Sequence, residues 1–291
     1  MGSDVAYVGN LLISGFLLGG LYSLITMGLF LAWSVVGLIY MHLGHLTILA
    51  AYIAFFIFEL YGINPLFGFF IVCPILFGIG VFLQHTLIKR VVSKDFVTQM
   101  VLCFGIAIIL EDLMVLLWGR ELKNIPLFIG ESFKFSGLFV SKTLLIIAAV
   151  AFTTIFLLWL LMNKTMFGKS IRAVADNREV SRLLGIDTER LYLKLGGLVG
   201  AVVAVVGCLI ALYPFSASGH STWGYVFTSF VVMALGGLGS FKGIIIAGIA
   251  LGIIQNMSTL IIPSGFSTAM GFILLVVMLL VKPEGLFGEK T

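Results

Sequence analysis

Charge is what this 291-residue chain has least of: Asp, Glu, Lys and Arg make up 10% of it, against about a quarter in ordinary soluble domains. With 60% hydrophobic residues and a mean hydropathy of +1.19, that scarcity excludes a soluble globular domain and requires a polytopic membrane protein. Cysteine is scarce too. Cys73, Cys103 and Cys208 each stand alone in an apolar run, which reads as small buried hydrophobes rather than a disulfide framework or metal site. The chain contains no G-x-x-x-x-G-K-[ST], so it brings no nucleotide-binding loop of its own. It also assembles no Ser/His/Asp or Cys/His set and no H-E-x-x-H helix, which leaves enzymatic chemistry without support. The formal net charge of +4 is a matter of membrane topology, not of nucleic-acid binding.

What is present is a series of apolar runs. A span needs about 20 apolar residues, and nine segments qualify as candidates: 7–31, 34–58, 64–84, 97–118, 143–162, 191–213, 225–241, 243–262 and 265–281. The first outlasts the apolar region of a cleavable signal and reads as a retained span. His42, Gly44 and His45 interrupt the second, marking a broken or re-entrant helix. The expected fold is therefore an all-α, polytopic membrane protein of eight or nine spans, a single transmembrane domain over 1–291. All but four of the 17 basic residues fall in 85–96, in the central loop 163–190, around Lys194 and Lys242, or in the C-terminal tail; the others are Arg120, Lys123, Lys134 and Lys142. That bias places the central loop in the cytoplasm. Nine spans then put the N-terminus outside and eight put it inside.

The central loop is the one long segment with the balance of a water-soluble helix. Asp176 followed by Glu179 reads as a capping box, and Gly185 as a left-handed stop. Val180, Leu183 and Leu184 share one side of that helix, with Arg178, Ser181 and Arg182 on a polar side. Such a helix needs a surface: lipid headgroups, the protein's own spans or a soluble partner. Gly15 with Gly19, Gly196 with Gly200, and Gly248 with Gly252 have the spacing of close helix packing. Gly236 to Gly243 reads as a tight turn between two spans. The loop 119–142 and the stretch 213–224 are polar and aromatic, suited to an external mouth or an interfacial belt.

Few residues carry candidate chemistry. Glu111 and Asp112 lie inside the fourth segment, where charge is expensive and faces a cavity or a partner. They are either part of a permeation path or a structural pair. His42 and His45, with Gly44 between them, line a cavity at the broken helix or pack at the interface more readily than they hold a metal. Gln255 and Asn256 call for helix–helix hydrogen bonds.

Four stretches together resemble one family. The run Gly19-Gly20-Leu-Tyr22 to Leu29 is similar to an opening G-S-x-Y-A-L-x-A-x-G-L span. Arg172 to Asp187 resembles R-A-x-x-x-N-x-x-x-A-x-x-x-G-I-D, Val232 to Gly243 resembles V-x-x-G-G-x-G-S-x-x-G, and Pro283 to Gly288 resembles R-P-x-G-L-F-G. In this order and spacing they are similar to the permease subunits of branched-chain amino acid ABC transporters, the LivH/LivM family.

The resemblance implies an importer of the cytoplasmic membrane of a prokaryote, working by alternating access. Its partners would be separate ATP-binding cassette subunits, a second permease subunit and an extracytoplasmic solute-binding protein. It also implies that Asp176, Asn177, Arg178, Glu179, Arg182, Leu183, Leu184 and Gly185 form the ATPase-coupling element, and that no cofactor is needed. Where the family has I-N-F-A-H-G-[DE], this chain has Ile39 to His45, matching only at Ile39 and Gly44. That departure leaves the solute open among amino acids, amides and urea. The competing expectation is a self-sufficient secondary transporter or channel that uses Glu111 and Asp112 for ion coupling.

Overall fold

The computed structural model describes residues 2–92, 94–125, 132–135, 138–217, 219–261, 266–282 and 284–288. Its helices are α1 (Gly2–Val36), α2 (Leu43–Tyr61), α3 (Pro65–Leu83), α4 (Lys89–Val91), α5 (Phe96–Trp118), α6 (Lys142–Lys164), α7 (Met166–Asp176), α8 (Arg178–Leu183), α9 (Thr188–Ile210), α10 (Gly219–Gly236), α11 (Phe241–Ser258) and α12 (Ser267–Val281). A π-helical turn, Gln84–Ile88, joins α3 to α4. Among the described residues seven helices are long and apolar enough to cross a membrane, and Ser221–Gly236 and Ala269–Val281 are shorter apolar helices. In hydrocarbon a backbone must satisfy its own polar groups, so helices of this length are the physical answer to such runs.

Local chemistry sets the boundaries. Asn64 accepts the Leu66 N–H and Pro65 opens α3, a position where its missing N–H costs nothing. Asp95 caps α5 by accepting from Thr98 N and Thr98 Oγ1, and those bonds hold its carboxyl below the usual carboxylate range. Thr165, Asp187 and Ser240 cap α7, α9 and α11 in the same way. The second expected segment is indeed broken: α1 stops at Gly37, with φ +71°, and the chain turns through 38–42 before α2 begins at Leu43.

By internal contacts the residues form two compact units, one of 1–27, 126–154 and 227–291, the other of 28–125 and 155–226. In the first unit, the Gly15–Gly19 face of α1 meets the Gly248–Gly252 face of α11 backbone to backbone. A Cβ on Gly15 would lie 2.7 Å from Ile253 Cα, and one on Gly252 would lie 2.6 Å from Gly19 N. The Gly236–Gly243 turn has Gly237 and Gly239 at φ +96° and +103°. The C-terminal tail binds there, with the Leu286 and Phe287 N–H groups donating to the carbonyls of Leu235 and Gly236. Pro283 of the tail motif lies outside the described residues. In the same unit Ser132–Phe135 and Leu138–Ser141 form an antiparallel hairpin, β1 and β2, pairing Ser132 with Ser141. This short hairpin is a minor addition to an otherwise helical chain, and the all-α expectation stands. It lies in the loop 119–142, where Phe133, Phe139 and Val140 favour strand.

The second unit is built on α9, which is buried almost continuously from Leu195 to Ile210. Gly196 and Gly200 let α3 approach: a Cβ on Gly196 would meet Gly80 O at 2.9 Å and Gln84 Cβ at 2.8 Å. On another side Gly207 admits α2, where a Cβ would lie 2.6 Å from Thr47 O. All three glycine pairs read from the sequence thus sit at helix crossings.

Candidate functional site

Two groups of side chains in the second unit carry the candidate chemistry. The first surrounds Glu111, on α5. Its Oε2 accepts the indole N–H of Trp223 at 3.1 Å and lies 3.5 Å from Thr222 Oγ1 and 3.2 Å from His45 Nε2. An ionised carboxylate only accepts, so with Glu111 charged His45 carries its proton on Nε2. His45 is 0% exposed and packs edge-on against the Trp223 ring, 4.9 Å between centroids, while Phe104 lies 5.3 Å from the same ring. Glu111 retains 21% side-chain exposure. A carboxylate held by an indole, a hydroxyl and an imidazole, and still reachable, can accept a proton or a cationic donor from a solute.

Gly44 makes this geometry possible without lining it. A Cβ there would meet Val226 Cγ2 at 2.7 Å and Val226 N at 3.0 Å, so its absence brings the start of α10, with Thr222 and Trp223, onto α2. His42 lies elsewhere: it stacks on Tyr40 at 5.0 Å, and its Nδ1 has no hydrogen-bond partner among the described residues. Asp112 is not part of the group. One residue further on, about 100° round the helix, it is exposed, so the two acids do not act as a pair. Among the described residues no cluster of three His, Cys, Asp or Glu could hold a metal.

The second group is the loop 165–192. The capping-box expectation is corrected here. Asp176 is the last residue of α7, and the cap of α8 is Asn177, whose Oδ1 accepts the N–H groups of Glu179 and Val180. Asn177 is the residue in extended conformation, φ −155° and ψ 109°, so Glu179 falls one position too early to reach back to the cap. The stop is as expected. Gly185 has φ +84°, its N–H donates to Arg182 O, and Ile186 N–H donates to Ser181 O, a Schellman closure.

The orientation of α8 is unusual. Its polar side faces the protein. Ser181 is 2% exposed, Arg182 Nε donates to Thr188 Oγ1 at 3.0 Å, and Arg178 lies over the Tyr192 ring at 5.1 Å. The apolar side faces out, with Leu183 86% and Leu184 76% exposed. The helix therefore lies against the protein's own α9 by its polar side, and its apolar side is left for another surface.

Sequence reasoning did not single out Tyr40 or Gln84. Tyr40 Oη donates to Gln84 Oε1 at 2.6 Å, and both are buried. A buried glutamine beside Lys89 and Arg90, at the end of an apolar run, was the available signal. Trp223 and Thr222 belong to the stretch 213–224 expected at an external mouth or an interfacial belt; they sit near the start of α10 against Glu111.

Comparison with known proteins agrees with this architecture. The chain is 25% identical over 303 residues to the high-affinity branched-chain amino acid transport system permease protein LivH of Escherichia coli (strain K12), covering 99% of this chain and 98% of the relative. It is 24% identical over 295 residues to the corresponding permease protein BraD of Pseudomonas aeruginosa, covering 96% and 95%. A partial match, 32% over 128 residues and 41% of this chain, is to the L-arabinose transport system permease protein AraH of Escherichia coli, of which it covers 39%. No solved structure matches the chain. The family model described as branched-chain amino acid transport system, permease component, matches residues 11–282; the chain belongs to that family and is a multi-pass protein of the cytoplasmic membrane.

Proposed function

We propose that this chain is the permease of an ABC importer, moving an amino acid or a similarly small polar solute by alternating access. The energy comes from ATP hydrolysis in separate subunits docked on the loop 176–185. A second permease subunit completes the pathway, and an extracytoplasmic solute-binding protein delivers the solute. The observation that carries this reading is the outward presentation of Leu183 and Leu184 on a helix closed at both ends by Asn177 and Gly185. A helix of six residues is too short to hold itself in water, so its caps and its polar contacts with α9 fix the apolar tip before any partner arrives. Burying a leucine fully is favourable by about 1.5–3 kcal/mol; two side by side suffice for a docking contact that a conformational cycle can push and pull.

The test is co-purification with the ATPases encoded beside the gene. Leu183→Glu with Leu184→Glu should abolish a complex that the unaltered chain forms, while the permease keeps its elution position and thermal stability. An undiminished complex would sink the docking assignment. The Glu111–His45 contact favours a second reading, a self-sufficient transporter coupled to protons. Uptake by this chain alone in liposomes, driven by a proton gradient without ATP, would establish that reading.

A further inference from the structure

On its inner side, α8 covers a cavity of about 160 Å³ lined by Gln84, Lys89, Arg178, Arg182, Glu189 and Tyr192, among others. Three cations and one acid leave a formal excess of two positive charges. Lys89 and Glu189 take each other at 2.7 Å, but among the described residues neither Arg178 nor Arg182 has a carboxylate within ion-pair distance. Among the described residues two donors at this cavity have no acceptor. Arg178 Nε is buried and unpartnered, and so is Gln84 Nε2, on a side chain that is 0% exposed. Its Oε1 accepts from the Tyr40 hydroxyl at 2.6 Å, which leaves Nε2 as the atom without a partner. A buried amide N–H left unpaired forfeits its hydration with nothing in return, and such a cost calls for an acceptor. The backbone contributes as well: Gln84 opens the π-turn before Lys89, and such turns are over-represented at functional sites.

We propose that this cavity is an oxyanion-binding site, taking a phosphate-type group on Gln84 Nε2 and the guanidinium groups of Arg178 and Arg182. Guanidinium forks match tetrahedral oxyanions, and charge-assisted N–H donors bind them strongly. The volume is several times the roughly 30 Å³ share of one liquid water and admits such a group with room to spare. The phosphate comes either from a soluble anion or from the headgroup of an anionic lipid, since the loop lies at the basic end of the spans. Binding there would tie α8 to the π-turn at the foot of α3. The site does not depend on the docking of an ATPase, and the permease alone suffices to test it.

The experiment measures binding of inorganic phosphate to the full-length, delipidated chain by titration calorimetry, at constant ionic strength made up with chloride. One saturable site is expected, with the dissociation constant raised at least tenfold by Arg178→Gln and by Gln84→Met, which keeps the bulk but cannot donate. Arg190→Gln, on a residue that pairs with Asp187 at 2.9 Å and does not line the cavity, should leave binding intact and so exclude a general charge effect. In a second arm, the chain is taken from phosphatidylcholine nanodiscs doped with phosphatidylglycerol and examined by native mass spectrometry. One retained phosphatidylglycerol, lost in both variants, would establish the site with lipid as its source. Phosphate bound equally by wild type and both variants, or neither ligand bound by the wild type, overturns the proposal. Arg178 is partly exposed, so its variant keeps the test decisive if Gln84→Met fails to fold.

Discussion

The hydroxyl of Tyr40 and the amide oxygen of Gln84 meet at 2.6 Å, joining the broken segment before α2 to the π-turn that ends α3. Tyr40 also stacks on His42, three residues before His45 and its contact with Glu111, and Gln84 lines the cavity under α8. The two candidate groups are thus connected by buried polar contacts and a few residues of backbone. Tyr40→Phe deletes the donor and leaves a buried carbonyl unpaired, at a cost of about 1–3 kcal/mol. A lowered midpoint in thermal unfolding of the detergent-solubilised chain is the expected result; an unchanged midpoint would mean that Gln84 finds another partner.

Gly200→Val should cost more than that. Its Cβ would press on Leu76 O and lie 3.3 Å from Phe77 Cα, forcing α3 off α9; overpacking of this kind costs about 1–3 kcal/mol or more. Membrane accumulation of the variant should fall sharply. Gly105→Ala is the control. Nothing lies within 4 Å of a Cβ there, and alanine in mid-helix is favoured by about 0.5–1 kcal/mol. A loss of accumulation equal to that of Gly200→Val would refute the packing account.

At Gly185 the demand is on the backbone alone. No atom lies within 4 Å of an added Cβ, yet φ is +84°, where any other residue costs roughly 1–2 kcal/mol. Gly185→Val should loosen the end of α8 while the spans keep their melting temperature. In the assembled transporter, solute-stimulated ATP hydrolysis should drop severalfold. Normal stimulation would remove the loop from the coupling role proposed for it.

Glu111→Gln retains the shape of the carboxylate and removes its charge. Uptake should fall or change its apparent affinity, whereas Asp112→Asn, outside the polar group, should leave transport as it was. Unaltered kinetics with a lower melting temperature in Glu111→Gln would assign that residue to structure instead.

Much of this architecture was legible in the sequence because hydrocarbon is a strict solvent. Runs of apolar residues, the break near His42 and the glycine pairs each answer to one constraint, and each was readable from spacing alone. Gly185 was readable for a similar reason, since few residues tolerate its conformation. The cap of α8 was misplaced by one residue, because Asp176 and Asn177 are both competent acceptors and backbone geometry decides between them. The inverted seating of α8 was hidden for a different reason. Periodicity reports that a helix has two faces; which face turns inward depends on Thr188 and Tyr192, partners contributed by α9. Adjacent acids likewise look like a pair in a string of letters, and only the helical rotation separates Glu111 from Asp112.

The seam between α1 and α11 has a mechanical consequence. Where Gly15 and Gly19 face Gly248 and Gly252, the backbone of each helix sits in a notch of the other, so neither can slide without lifting out of contact. The directional fastening comes from Ser23, whose hydroxyl is shared between the carbonyls of Gly19 at 2.8 Å and Ile245 at 3.2 Å. A contact of this kind works as a keyed joint: dispersion keeps the two helices close, while the glycine notches and the Ser23 hydroxyl hold them in one register.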